Sequence, residues 1–248
     1  IGDTIQFMRY IFYLKQEGLN FLIAIQDKLH CIYRNTIINE NIISINEANN
    51  YSNLEWISLL SIPKLIKRNH LDDIFNQSYI VAEPIKIERW KIKLESDNKP
   101  LIGINWHGNP GSEKGGSIGR SIPLEMFSLI KSPKYKFVSL QKGTGSDQMD
   151  NCSFKNYFIN CQDIVSQTWD FSENCAIIEC CDIVITSDTM IAHLSASMGK
   201  ETWLLLKYVP DWRWGLSGNS THWYPSIRIF RQKQPGDWLG VFRKLEKE

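Results

Sequence analysis

Four consecutive residues, Thr186-Ser187-Asp188-Thr189, can each cap a helix N-terminus, and His193 follows one turn later. A helix that starts on such a turn directs its unpaired backbone N–H groups at one spot, which suits a phosphate. Three further clusters can do chemistry. Asp3 stands in a Gly-Asp pair at the start of a helical pattern, either as a cap or as a general base facing a cleft. Arg120 closes the loop His107–Arg120, which carries Gly108, Gly111, Gly115, Gly116 and Gly119. Its guanidinium either grips a phosphate bidentately or lies solvated on a surface loop. Asp211-Trp212-Arg213-Trp214, with Trp223-Tyr224-Pro225, forms an aromatic loop. Its rings either stack on a base or sugar or plug an interface. His193 has the same two faces: a packed core histidine, or a contact to a diphosphate.

What is absent narrows the chemistry. Neither GxxxxGK[ST] nor GxGxxG occurs, so the glycine-rich loop is neither a P-loop nor a dinucleotide fingerprint. HExxH and CxxC are missing, and no acidic cluster stands beside these motifs, so no metal site and no cofactor are expected. A net charge of +1 argues against nucleic acid as a partner. The six cysteines follow no disulfide spacing and read as free thiols, with adjacent Cys180-Cys181 buried. No apolar run approaches the roughly 18 residues of a membrane span. The expected setting is the cytoplasm, extending to the inner face of the membrane. A chain that begins at Ile1 without methionine reads as a piece of a longer protein.

The elements that must position these residues follow from hydrophobic period and punctuation. CDIVI ending at Ile185 reads as a buried parallel strand. Ile191, Leu194, Ala196 and Met198 mark the buried face of a short helix closed by Gly199, and Trp203–Leu206 is the next strand. That is a βαβ crossover with its polar turn at a strand's carboxyl end, where open α/β sheets bind ligands. Upstream, a helix runs from Ile5 to Gly18. Strands are predicted at Asn20–Ile25, Ile42–Ile45 and Ile57–Ile62, with a short helix after Asp27. Asn69–Ser78 is a polar loop, Pro84–Leu94 a helix, and Glu95–Pro100 the linker, which puts a domain boundary between residues 97 and 98. Beyond it come strands at Leu101–Trp106, Lys136–Leu140, Tyr157–Ile159 and Ile227–Phe230. Helices are predicted from Pro123 to Leu129, over Ser172–Glu179, and from Trp238 to Leu245. The alternation predicts an α/β fold of doubly wound, mostly parallel sheets.

Taken in order, the segments GDTIQFMRY, GINWHGNP, SIPLEMF, FVSLQKG, DIVITSDTMIAHLSASMGK, VPDWRWG, WYPS and the closing FRQ and GDW resemble a known family. The chain is similar to the glycosyltransferase-like domain that follows tetratricopeptide repeats in bacterial proteins. That domain is in turn similar to the family 9 glycosyltransferases, the ADP-heptose:lipopolysaccharide heptosyltransferases. The resemblance spans nearly the whole chain, with its specific motifs in the second half and only a loose match over Leu19–Glu95. It implies a GT-B-like fold of two Rossmann-like domains facing a cleft. Residues 1–97 would form the acceptor side and residues 98–248 the nucleotide-sugar side. The family's strand ahead of the Gly-Asp motif is absent, so the first domain is expected to lack its first strand.

Roles carry over residue by residue. Asp3 matches the proposed catalytic base, and Arg120 falls where the related enzymes keep a lysine on the donor phosphates. Asp188, Thr189 and His193 match the Asp-Thr-Gly-x-x-His donor loop, with Met190 in place of glycine. The resemblance thus implies an inverting, metal-independent transfer from a nucleotide-diphosphate sugar to an acceptor hydroxyl. Donor binding would fall to Arg120, Ser187, Asp188, Thr189 and His193, with Trp212 and Trp214 stacking on base or sugar. The acceptor would be a glycan, a lipid-linked molecule or a protein. Two other readings stand beside it: a non-catalytic binding module attached to tetratricopeptide repeats, and a sugar-nucleotide epimerase.

Overall fold

A computed structural model describes residues 1–36, 38–67, 74–94, 98–113 and 119–248. Its centre is a five-stranded, all-parallel sheet: β3 (Leu101–Asn105), β4 (Lys136–Ser139), β5 (Ile183–Ser187), β6 (Thr202–Leu206) and β7 (Ile227–Arg231). The strand order is β4-β3-β5-β6-β7. Helices cover both faces, as a parallel sheet of apolar strands requires. A smaller parallel pair, β1 (Ile23–Ile25) and β2 (Ile42–Ser44), lies in the N-terminal part. The helices are α1 (Gly2–Phe7), α2 (Ile11–Gln16), α3 (Asp27–Tyr33), α4 (Ile45–Ala48), α5 (Ile62–Leu65), α6 (Pro84–Lys93), α7 (Gln162–Gln167), α8 (Phe171–Cys180), α9 (Met190–Ser197) and α10 (Trp238–Leu245). None of the described helices is long and apolar enough to cross a membrane.

Two apolar layers sandwich the sheet. On one face Ile104, Phe137, Ile185, Leu205 and Phe230 meet Phe127 and the α10 residues Val241, Phe242 and Leu245. On the other, Leu101, Val138, Val184, Leu204 and Ile229 meet α8 and α9. That second layer continues without a break into the N-terminal part, through Ile5, Met8, Leu29, Tyr33 and Trp90. There α1 packs on α9, while α3 and α6 pack on α8. Helix α9 is therefore covered on every side: Ile191 through Ser197 are all buried, beyond the single face that its spacing predicts. Each large apolar side chain buried this way contributes roughly 1.5–3 kcal/mol.

Several sequence expectations change. Ile57–Ile62 is not a strand: it holds a 3₁₀ turn, Leu59–Ser61, followed by α5. Pro63 sits in the first turn of α5, where its fixed φ is favourable, and Ile57 and Leu60 are exposed rather than packed on a sheet face. Tyr157–Ile159 contributes one bridge, Phe158 to Phe137, instead of a sixth strand. The segment after Pro123 is 3₁₀ over Leu124–Ile130, and α7 arises from a stretch without a predicted helix. Cys181 is buried, whereas Cys180 is only partly so; all six thiols are free. The first half of the Asn69–Ser78 loop, Gly115, Gly116 and the Glu95–Asp97 side of the boundary lie outside the described residues.

Candidate functional site

In a sheet ordered β4-β3-β5-β6-β7 the winding direction reverses between β3 and β5, and the crevice at their carboxyl ends is where such sheets bind ligands. The last residues there pair Asn105 with Thr186. Asn105 Oδ1 accepts from Thr189 Oγ1 at 2.8 Å and from Thr186 Oγ1 at 3.3 Å, while its Nδ2 donates to Gln141 Oε1 at 2.9 Å. Gln141 Oε1 also accepts from the backbone N–H of His107 at 2.9 Å, and its Nε2 donates to the carbonyls of His107 and Thr144. Two buried amides thus tie the ends of β3, β4 and β5 into one rigid rim. Sequence reasoning passed over both. Their signal was a polar amide at the close of each apolar run, LIGIN and FVSLQ.

Thr189 is the N-cap of α9, in extended conformation, with its hydroxyl accepting from Ile191 N at 3.3 Å. Ser187 Oγ is buried beside it and has no hydrogen-bond partner among the described residues. Asp188 is half-buried. Burial pushes its carboxyl above the ordinary range and Asp211 pushes the same way, while the Trp214 indole, Arg213 and Arg120 oppose the shift.

Arg120 reaches this turn from the glycine-rich loop. Its Nη1 donates to the Asp188 carbonyl at 3.5 Å, and its Nε is buried with no hydrogen bond among the described residues. The guanidinium lies against Gly108, where an added Cβ would come within 2.5 Å of Nε and push the arginine from its place. Glu113 stands 3.6 Å from Nε and accepts from the Ser121 hydroxyl, which itself accepts from Gly108 N at 3.0 Å.

Asp3 lies in the first turn of α1, the helix packed on α9. A Cβ on Gly2 would sit 3.1 Å from the His193 ring. Asp3 Oδ1 accepts from Arg213 Nη2 at 2.8 Å, across 210 residues of chain, with Asp3 56% exposed and Arg213 13%. His193 is 3% exposed, shares a hydrogen bond at 3.0 Å with Tyr224 Oη, and stacks on Trp214 at 5.4 Å. Burial, with help from the Arg213 and Arg9 cations, pushes its imidazole down to about 3, so it packs as a neutral ring. Of the two tryptophans expected to stack on a ligand, Trp212 is 68% exposed. Trp214 is 2% exposed, and one ring face lies on His193: it plugs the junction of α1, α9 and the aromatic loop.

No protein-family model matches the sequence, and no curated protein matches it. Several solved structures are similar in chain trace, among them the following three. A family 9 glycosyl transferase from Veillonella parvula has TM-score 0.47 and 17% identity, covering 75% of this chain and 51% of its own. The ADP-heptose lipopolysaccharide heptosyltransferase II of E. coli has TM-score 0.44 and 12% identity, covering 68% and 52%. The wall teichoic acid polymerase TagF has TM-score 0.38 and 13% identity, covering 93% and 49%. The chain spans about half the length of the solved structures it matches. At identities of 12–17% no residue role passes from them to this chain.

Geometry alone therefore defines the site. Arg120, Ser187, Asp188 and Thr189 converge at the reversal point of the sheet, while His193 and Trp214 brace it from beneath. Arg9, missed from sequence, completes the brace. It is fully buried, donates to the carbonyls of Phe75 (3.0 Å) and Trp223, and lies 4.3 Å from the Tyr224 ring centre. Among the described residues no three His, Cys, Asp or Glu side chains are grouped to hold a metal ion.

Proposed function

We propose that the chain transfers a sugar from a nucleotide-diphosphate donor to an acceptor hydroxyl, with inversion at the anomeric carbon. One observation carries this reading: Arg120 and the capped N-terminus of α9 meet at the sheet's reversal point, and α1, which bears Asp3, packs on that same helix. In this reading the donor's diphosphate lies at the Asp188–Thr189 turn, met by backbone N–H groups, the Ser187 hydroxyl and Arg120. Asp3 accepts the proton of the acceptor hydroxyl as its oxygen attacks the anomeric carbon from the face opposite the diphosphate. The carbon–oxygen bond to the diphosphate breaks and its electron pair leaves on phosphate. Arg120 and the helix N-terminus stabilise the charge that develops there, with no step that calls on a metal. Trp212, exposed at the loop tip, offers a face for the base or the sugar.

Residues 1–97 form the acceptor side in this reading and residues 98–248 the donor side. The acceptor is a glycan, a lipid-linked molecule or a protein, and the domain belongs to a longer, tetratricopeptide-repeat-bearing protein that works in the cytoplasm or at the inner face of the membrane. A nucleotide-sugar panel with product detection tests the proposal. Transfer or donor hydrolysis supports it, inversion at a ring carbon points to an epimerase, and saturable binding without turnover to a non-catalytic module.

A further inference from the structure

A second arginine, Arg213, borders the site and joins it to α1. It comes from the 3₁₀ turn Trp212–Trp214, whose cap Asp211 accepts from Arg213 N at 3.2 Å and lies 3.3 Å from Nη1. Its Nη2 donates to Asp3, and its Nε is buried with no hydrogen bond among the described residues. The two ends of the Asp3 pair are unequal. The carboxylate is mostly in solvent, where an ion pair is screened and weakly held. The cation is largely enclosed, pinned at one nitrogen by Asp211, so it can change its other partner without leaving its place. Its charge also bears on Asp188 and His193, the residues at and beneath the α9 turn.

Charge balance says what the second partner is. Arg120 already faces Glu113 and the Asp188 carbonyl, and the Asp188 carboxylate stands at the turn. A diphosphate placed there brings about two further negative charges, more than Arg120 alone offsets. We infer that Arg213 is a positioning residue that exchanges partners: it holds Asp3 until a nucleoside diphosphate draws its guanidinium to the phosphates, and donor binding thereby releases the base. The inference rests on the site reading given above. The exchange favours phosphate because a planar guanidinium binds it bidentately, using the unspent Nε. It also orders the reaction, since the base is freed only after the donor is in place.

The test measures Asp3 directly. Carboxylates held by arginine react slowly with a water-soluble carbodiimide and an amine, and mass spectrometry of the N-terminal peptide reads the rate at Asp3. Binding of UDP, ADP, CDP and GDP is measured in parallel by calorimetry. Wild-type Asp3 should label several-fold faster once a nucleoside diphosphate saturates the protein. Arg213→Gln should label fast with or without nucleotide and bind it at least several-fold more weakly, and Arg213→Lys should restore part of the protection. A purely structural Arg213 would leave the ligand response of Asp3 unmoved. Saturable binding with unchanged Asp3 labelling overturns the exchange and leaves the site reading intact. No binding of any of the four overturns the site reading and the exchange with it. The wild-type ligand response needs no variant, so a misfolded Arg213→Gln protein does not block the test.

Discussion

Thr189 Oγ1 donates to Asn105 Oδ1 at 2.8 Å, joining the cap of α9 to the end of the neighbouring strand β3. One hydroxyl thereby sets the helix start and its position over the sheet's reversal point. Thr189→Ala should cost about 0.5–2 kcal/mol, the scale of a lost N-cap, and should also weaken nucleoside diphosphate binding. Thr189→Ser should restore both. Thermal melts and calorimetry on the two variants decide it. A melt that drops while binding stays unchanged would make the cap structural only.

Asp3→Asn keeps the shape of the side chain and removes the base. Turnover should fall by roughly 10²–10⁴-fold, the range for a lost general base, while nucleoside diphosphate binds at least as tightly as to wild type. Steady-state kinetics with calorimetry separates the two effects. Unchanged turnover would reduce Asp3 to a residue of the first helical turn.

Arg120→Ala should weaken nucleoside diphosphate binding by about 1.5–3 kcal/mol, as for hydrogen bonds to a charged group, and lower turnover too. Gly108→Ala provides a second route to the same result, because the added Cβ would collide with the guanidinium at 2.5 Å. If both variants bind like wild type, the phosphate lies elsewhere.

His193 makes stability depend on pH. Its native imidazole titrates at about 3, while in the unfolded chain it titrates near 6.5. Between those values the unfolded chain binds the extra proton, so stability should fall as pH drops from about 6.5 towards 3 and be unaffected by this group above 6.5. The loss is on the order of 4 kcal/mol across the window. Asp188, raised by burial, works in the opposite direction, so the comparison is wild type against His193→Gln. Melting temperatures from pH 7.5 to 4 should converge as pH falls. Parallel curves would mean that His193 is open to solvent.

Chelator should leave turnover intact, because the carboxylates nearest the phosphate turn, Asp188 and Glu113, lie beside arginines, and among the described residues no three His, Cys, Asp or Glu side chains are grouped to hold a metal ion. Loss of transfer in EDTA with recovery on Mg²⁺ or Mn²⁺ would take the leaving-group role from Arg120.

Local chemistry made the second half of the chain readable from its residues. Ile183–Ser187, Thr202–Leu206 and Ile227–Arg231 are apolar, β-branched or aromatic runs between turn residues, and they form strands close to the predicted bounds. Thr189 starts α9 because a short hydroxyl side chain can bond the helix's free N–H groups, and Gly199, at φ +78°, ends it because glycine alone adopts that angle without strain. The same local signals failed at Ile57–Ile62, where apolar content without a sheet partner produced a turn. Partners far apart in the chain were beyond them. Asp3 meets Arg213, Asn105 meets Thr189, and Arg9 meets the Trp223 carbonyl only after the sheet has closed and α1 has packed on α9. Nothing in the type of either tryptophan says that Trp212 faces solvent while Trp214 covers His193. Which side chain a fold buries depends on the surfaces brought together around it, and tertiary packing alone assembles those surfaces.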